Sequence, residues 1–512
     1  MNRKSLSAFR ALGVAGIATL ICGCAVGPDY RSPEAPAVKQ YTESPLPEQT
    51  EAAPVPGGEA QRFAPGAEIS AEWWKLFGSP GLDALIRAAL ENHPSLAASQ
   101  AALRQAQENL VAQTSVLYPS VDANLSARRQ RTVGATFGQP SIPANIFNLY
   151  NASVNVTYAI DVAGGARREL EALRAQIDFQ RFQLEAAYLS LTANVATAAF
   201  QEASLREQIR ATREIIDLQE RGVELVEKQF GVGAVSRADV LVQHASLAET
   251  RAALPPIEKA LAQTRTQLAA LIGRFPGDAG LPKLDLVKFQ LPQTLPVSVP
   301  ADLVRQRPDV RAAEATLRQA NAQIGVAEAG MFPQLTLSGS YGSATTSSSD
   351  LFKPDTMLWN IGANLLQPIF HAGELQARKR GAEAAYDQAF AQYRLAVLGA
   401  FQNVADALQA LEADAAALKA QAEAETAARE SLEMTQKQLQ FGAASYLVLL
   451  TAQRQYQQAR IGLAQAQGAR YADTAALFQA LGGGWWRRAE PVAAQDAPAA
   501  TGKKNTTEPQ HD

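Results

Sequence analysis

Hydrophobic positions in this chain change their period in a fixed order, and the order occurs twice. After Pro119 apolar and polar residues alternate, with Val121, Ala123, Leu125 and Ala127 against Asp122, Asn124, Ser126 and Arg128. The alternation returns as Ala152, Val154, Val156 and Tyr158 against Asn151, Ser153, Asn155 and Thr157. Two further stretches repeat it, Leu335, Leu337, Gly339, Tyr341 and then Trp359, Ile361, Ala363, Leu365. Successive side chains of a strand leave opposite faces, so these stretches predict four strands with one apolar and one polar face. They group into two hairpins with polar loops near 131–149 and 343–356, the second containing Thr345-Thr346-Ser347-Ser348-Ser349.

Between the hairpins the period becomes helical. No proline occurs from Gly165 to Phe230, and Tyr188, Val195, Glu202, Ile209, Ile216, Val223 and Phe230 fall seven apart. Leu170, Ile177, Leu184, Leu191, Ala198 and Leu205 form a companion row. A sustained heptad seam predicts a very long helix packed on similar helices, roughly 100 Å at ~1.5 Å per residue. A shorter helix is expected from Ser236 to about Leu271, kinked or broken at Pro255-Pro256. Pro94 opens another that runs to Leu117. The two shorter helices together nearly match the long one, so stacked end to end they could run antiparallel to it.

The same text is then repeated. Gly164, Gly233, Ser236, Leu268 and Gly273 recur 209 residues later as Gly373, Gly442, Ser445, Leu477 and Gly482. His93-Pro94 and Tyr118-Pro119 recur 214 residues later as Arg307-Pro308 and Phe332-Pro333. The offset changes once, across the strands and their loop. The expected fold class is α+β, mainly α, built from a duplicated helix–β-hairpin–long helix–helix unit. The copies span 71–273 and 301–484, joined by a proline-bearing linker at 274–300. Chemical differences between the copies, Asp239 against Val448 and Glu202 against Leu411, are the places to look for a gate.

Composition adds an address. Residues 1–23 read as a signal peptide, with Arg3, Lys4 and Arg10 before an apolar run. The run ends in Leu20-Ile21-Cys22-Gly23-Cys24, which looks like a lipobox with Cys24 acylated; a generic signal peptide or short anchor is the alternative. The cofactor expectation is therefore covalent lipid, a diacylglycerol and an N-acyl chain on Cys24. Cleavage would take the net charge from −3 to −6 and leave no free thiol for a disulfide, metal site or nucleophile. Residues 24–70, rich in Pro, Glu, Ala and Gln, should be extended and track over a surface from the anchor. Residues 485–512 read as a disordered tail. No segment after the N-terminus offers ~20 consecutive apolar residues for a spanning helix.

Four strands cannot close a barrel, since ~8 or more are needed to enclose an interior. Several chains each giving two hairpins would supply strands in multiples of four, and the residues alone do not choose the multiple. Opposed face polarity and ~10–12-residue strands suit a lipid-facing, water-lined wall. An enzyme is not indicated. His93, His244, His371 and His511 are scattered, Glu224 and Glu227 lie on helical faces, and no phosphate loop or metal-spaced cluster occurs. The competing architecture is a lipid-anchored periplasmic coiled-coil scaffold without a pore, which leaves the four strands without a purpose.

The start Cys24-Ala25-Val26-Gly27-Pro28-Asp29-Tyr30 resembles the opening of the NodT-like efflux lipoproteins of the TolC-like outer-membrane factor family. Trp73-Trp74, Leu82-Asp83-Ala84-Leu85-Ile86, Arg307-Pro308-Asp309-Val310, Phe332-Pro333 and Ala480-Leu481-Gly482-Gly483-Gly484-Trp485 carry the resemblance to the end of the second copy. It implies a homotrimer with a twelve-stranded outer-membrane β-barrel continued by a twelve-helix periplasmic α-barrel. It also implies a passive exit duct in a tripartite system, with a periplasmic adaptor and an inner-membrane pump, usually of the resistance-nodulation-division type. Ala25 after Cys24 favours the outer membrane of a Gram-negative bacterium. By the same resemblance Gly231, Gly233, Ser236, Gly442 and Ser445 lie at periplasmic tips that meet the adaptor. Asp239 and Arg454 match gate positions, while Val448 and Thr451 stand where relatives often carry acids and Leu447 is apolar. A gate narrowed by apolar side chains is therefore expected. The alternative, that Asp239 and Arg454 merely solvate helix faces, stays open.

Overall fold

The computed structural model describes residues 25–488 except 39, 134–137, 139–140, 142, 279 and 298–299. Cys24, His511 and the tail from 489 lie outside the described residues. In chain order the elements are β1 (Arg62–Pro65), α1 (Pro80–Asn92), α2 (Pro94–Thr114), β2 (Ser120–Thr132) and β3 (Asn145–Ile160). Next come α3 (Gly165–Gly231), α4 (Arg237–Leu271), β4 (Thr294–Val297), α5 (Pro300–Gln306) and α6 (Pro308–Ala329). The chain ends with β5 (Gln334–Thr345), β6 (Met357–Leu366), α7 (Glu374–Gln440) and α8 (Tyr446–Ala480). Helices α3 and α7 have 67 residues each, α4 and α8 have 35 each, and their boundaries differ by the same 209 residues as the glycines. Among the described residues no helix is long and apolar enough to cross a membrane.

The chain forms two compact units that do not coincide with the sequence copies. The first takes the chain up to Glu34, Ala101–Gln183 and Asp309–Leu398; the second takes Ala35–Gln100, Leu184–Pro308 and the chain from Gly399. Each unit draws on both copies because the hairpins pair with one another and the long helices run through both units.

The first unit holds a four-stranded antiparallel sheet in the order β2-β3-β5-β6. Its register places Val121, Val156, Gly339 and Ile361 in one cross-strand row, and Ala123, Val154, Tyr341 and Trp359 in the next on the same face. The opposite face carries the row Asp122, Asn155, Ser340 and Asn360. Val121, Leu125, Tyr341, Trp359, Ile361 and Leu365 are all exposed, so the apolar face has no protein cover within the chain. The residues after Cys24 dock at the base of this sheet. Val26 N donates to Ala163 O at 3.0 Å, and Arg168 donates to Val26 O, Gly27 O and Asp29. A Cβ at Gly164 would stand 2.5 Å from Ala25 Cα, so glycine there lets the N-terminal strand of chain lie against the turn into α3. Tyr30 and Ser32 both donate to Glu314 of α6, and burial raises the Tyr30 phenol well above its ordinary value.

The second unit is built on an aromatic centre. Trp73, in a short 3-10 turn, stacks on Phe478 at 5.5 Å and 11°, and Phe77, Phe200, Phe289 and Tyr471 continue the cluster. Trp74 donates to Asp83, which explains why the aromatic pair and the α1 acid occur together. The middle of the heptad seam is buried as its spacing requires, Val195, Ile209, Ile216 and Val223 in α3 and Val404, Leu411, Leu418 and Leu432 in α7, while Phe230 at its end is exposed. The 274–300 linker and the N-terminal segment are ordered against each other, with β1 and β4 pairing in parallel and Leu284, Leu286, Leu291 and Leu295 buried. Residues 48–61 strap the α7–α8 pair. Gln467 donates to Pro56 O, Arg470 donates to Thr50 Oγ1 and Glu59 O, and Lys419 pairs with Glu51.

The shorter helices do abut end to end. Within this unit Gly273, just past α4, presses on the carbonyl of Asn92, just before α2. Its counterpart Gly482, past α8, lies on the carbonyl of Gln306, just before α6, where Arg307 donates to Ala480 O at 2.9 Å. Arg307 thus caps the last turn of α8, placing a cation where helix carbonyls are unsatisfied.

Three expectations need correction. The break allowed at Pro255-Pro256 does not occur, since α4 is one helix from Arg237 to Leu271. Both prolines are exposed, so the carbonyls they leave unbonded face outward, and Arg213–Glu258 and Arg251–Glu220 tie α4 to α3 on either side. The tail does not lose structure at 485: Trp485–Arg487 form a 3-10 turn, and the Trp485 indole donates to Gln306 O at 2.6 Å. Glu202 does not break the seam as a gate residue. It is fully buried and pairs with Arg206 at 2.6 Å and Arg265 at 2.8 Å, while Arg265 also reaches the carbonyls of Leu281 and Pro282. Its role is to fasten the linker.

Candidate functional site

The helix ends beyond α3 and α7 are built alike. Gly233 N donates to Phe230 O and Ala234 N to Gln229 O; Gly442 N donates to Leu439 O and Ala443 N to Gln438 O. This pairing is a Schellman ending, which requires a left-handed residue at the first position past the helix cap. Gly233 and Gly442 supply it with φ of +78° and +72°. Gly231 has ordinary helical geometry and open space where a Cβ would stand, so nothing within the chain demands glycine there.

The two tips then diverge. Ser236 caps α4 through a capping box: Asp239 N donates to Ser236 Oγ at 3.2 Å, and Asp239 Oδ2 accepts from Ser236 N at 3.0 Å and from Ser236 Oγ at 2.7 Å. The hydrogen bond from the Ser236 side chain holds the Asp239 carboxyl below the usual carboxylate range. Ser445 sits at the equivalent cap with extended backbone but makes no side-chain cap bond. Val448, in place of Asp239, offers no carboxylate for the reciprocal half of a box. A cross-link joins the tips instead, the Tyr446 hydroxyl donating to Gln229 Oε1.

The proposed gate residues do not meet within the chain. Asp239 is engaged by Ser236, and Arg454 pairs with Glu249 at 2.7 Å between exposed side chains. Leu447 and Val448 are exposed on the first turn of α8, and Thr451 Oγ1 donates back to Leu447 O at 2.9 Å. Of the histidines, His244 pairs with Glu227 at 2.9 Å, and His93 Nδ1 lies 2.6 Å from Ser95 Oγ at the start of α2.

Emphasis on small tip residues misses two large ones. Val232 and Phe441 occupy the same place in the two Schellman endings, 209 residues apart, and are 81% and 86% exposed. Their signal was available, since an apolar residue beside a tip glycine in both copies serves no core.

An exposed apolar sheet face opposed by a polar one, in a chain that also carries paired long helices, fits the class of outer-membrane channels. The chain belongs to the outer membrane efflux protein family, whose model matches residues 85–274 and 299–483. It is 32% identical to the pyoverdine export outer membrane protein OpmQ of Pseudomonas aeruginosa, over 83% of this chain and 90% of that protein. Nodulation protein T of Rhizobium leguminosarum bv. viciae is 27% identical over 97% of both chains, which marks the NodT type. The solved structure of the outer-membrane channel OprN superposes with a TM-score of 0.81 at 28% identity, covering 90% of this chain and all of that one. The protein is thus an outer-membrane efflux duct of the TolC-like kind and not an enzyme. A poreless scaffold is set aside.

Proposed function

We propose that three copies of this chain form the exit duct of a tripartite efflux system and conduct small molecules passively across the outer membrane. The supporting observation is the sheet. Strands β2 and β6 are its open edges, so each copy can offer β6 to the next copy's β2. Two chains would give eight strands, whose interior side chains fill. Three give twelve, the smallest multiple of four that leaves an aqueous passage. The duplicated unit then supplies four helix-lengths per chain and twelve for the periplasmic tube.

Cys24 carries the lipid in this reading, because Ala25 lies against Gly164 where the strands give way to α3. The tips around Gly231, Gly233, Ser236, Gly442 and Ser445, with Val232 and Phe441 projecting from them, meet a periplasmic adaptor. The inner-membrane pump, of the resistance-nodulation-division type, supplies energy and selects the cargo. Leu447 and Val448 narrow the closed tube with apolar side chains, bounded by Asp239, Thr451 and Arg454.

Replacing Cys24 and supplying a cleavable signal tests the membrane part. A barrel trimer still needs detergent for extraction and gives discrete conductance in planar bilayers, whereas a soluble, non-conducting product rejects the reading. For the gate, Leu447→Ala with Val448→Ser should raise closed-state conductance, and an unchanged trace removes these residues from it.

A further inference from the structure

The sheet's two faces break their own rule at one end of β2. Residues of odd number on this strand face the apolar side, from Val121 through Ala127, and Arg129 and Arg131 continue that row, opposite Asn148 and Ile146. Both arginines are exposed, and among the described residues neither makes an ion pair. No Asp or Glu occurs between Asp122 and Asp161, so the loop end of the hairpin carries three arginines without a neighbouring acid in sequence, Asp122 lying at the other end of β2 on the polar face. The position is not arbitrary. At ~3.3 Å per residue and a tilt of about 40°, Arg131 stands roughly 25 Å above Val121, the height of an outer-membrane apolar band. The arginines therefore sit at the membrane boundary on the loop side, where a lipid-facing charge costs little.

Below them on the same face is a shallow apolar hollow of about 440 Å³, lined in part by Leu125, Val154, Tyr341, Phe352 and Met357. Leu125 is four residues from Arg129, roughly 13 Å along the strand. We infer that this surface binds a phosphorylated glycolipid of the outer leaflet. Its phosphates meet the guanidinium groups of Arg129 and Arg131, whose planar forks match phosphate oxygens, and an acyl chain lies in the hollow. Arg128, on the polar face, takes no part. The inference rests on the reading that the loop ends of the hairpins face outward.

The test uses the full-length trimer in phosphatidylcholine nanodiscs with no addition, with bis-phosphorylated lipid A, or with dephosphorylated lipid A, and follows the unfolding midpoint. Bis-phosphorylated lipid A should raise the midpoint of the wild type, and the dephosphorylated form should not. R129Q/R131Q should lose that rise while R128Q keeps it, and L125A/F352A should reduce it. Inorganic phosphate in plain nanodiscs should give no rise. Equal midpoints for the two lipid A forms with wild-type protein overturn the proposal even if the double variant fails to assemble. So does a rise that survives R129Q/R131Q or appears with inorganic phosphate alone. Conductance in planar bilayers, scored separately, reports whether the barrel reading itself stands.

Discussion

Gly233 and Gly442 need glycine for their backbone, and Gly231 does not. Gly233→Ala or Gly442→Ala should destabilise the helix end by about 1–2 kcal/mol, since a side chain in the left-handed region meets its own carbonyl. Gly231→Ala should instead stabilise α3 by about 1 kcal/mol. Amide exchange at the tips measures both, and adaptor pull-down should weaken for Gly231→Ala if a partner backbone packs there. Asp239 gives a pH signature. Its carboxyl is depressed by Ser236, so its contribution is present above the ordinary carboxylate value and is lost as pH falls through its lower value in the folded protein. Protection of the tip amides, taken relative to their intrinsic exchange rates, should therefore fall in acid, and Asp239→Asn should remove that dependence. The 209-residue offset pairs Ser236 with Ser445 and Asp239 with Val448, but it did not reveal that Asp239 completes a capping box or that Ser445 makes no side-chain cap bond.

Strands and helices were legible because one-sided burial imposes periods of two and of about three and a half. What periodicity could not reveal was the partner of a polar residue. Glu202 occupies a heptad position and reads as a flaw in the seam, yet it is a buried anion held by arginines 4 and 63 residues away. Glu202→Gln should destabilise the protein by about 3 kcal/mol in denaturant titration, because it leaves the paired guanidiniums without their charge. The proline pair misleads for a related reason: the rule against proline describes lost hydrogen bonds, and on an exposed face solvent replaces them. Between α7 and α8, burial and the neighbouring Asp473 carboxyl push the Asp414 carboxyl up to about 7. A raised folded value means its contribution is full below the ordinary carboxylate value and lost as pH rises through about 7. Asp414→Asn should abolish the decline in stability that wild type shows between about pH 4 and 7, read as the unfolding midpoint across that range.

At the scale of the chain, the copies were visible in sequence but the compact units were not, because repeats record ancestry while units record contacts. Strand β3 finds its second neighbour in β5 of the other copy, and Ser204 of α3 donates to Ala464 O of α8. Residues 24–297 expressed alone should therefore fail to insert or to give an SDS-resistant oligomer on a gel, and recovery of either would contradict this interdependence. The abutment of Gly273 on Asn92 and of Gly482 on Gln306 carries a consequence for descent. With helix ends butted together and the two long helices equal in length, reach becomes a trait that evolution can change only in concert. An insertion in α3 alone would carry its tip beyond that of α7, and lengthening α4 would drive its end into α2. Lineages can tinker more freely with the hairpins, where the copies already differ by five residues between the Tyr118-Pro119/Phe332-Pro333 step and Gly164/Gly373. A lineage with a longer duct must have acquired matched insertions in both halves of its gene, so indels in these helices should be found in sets.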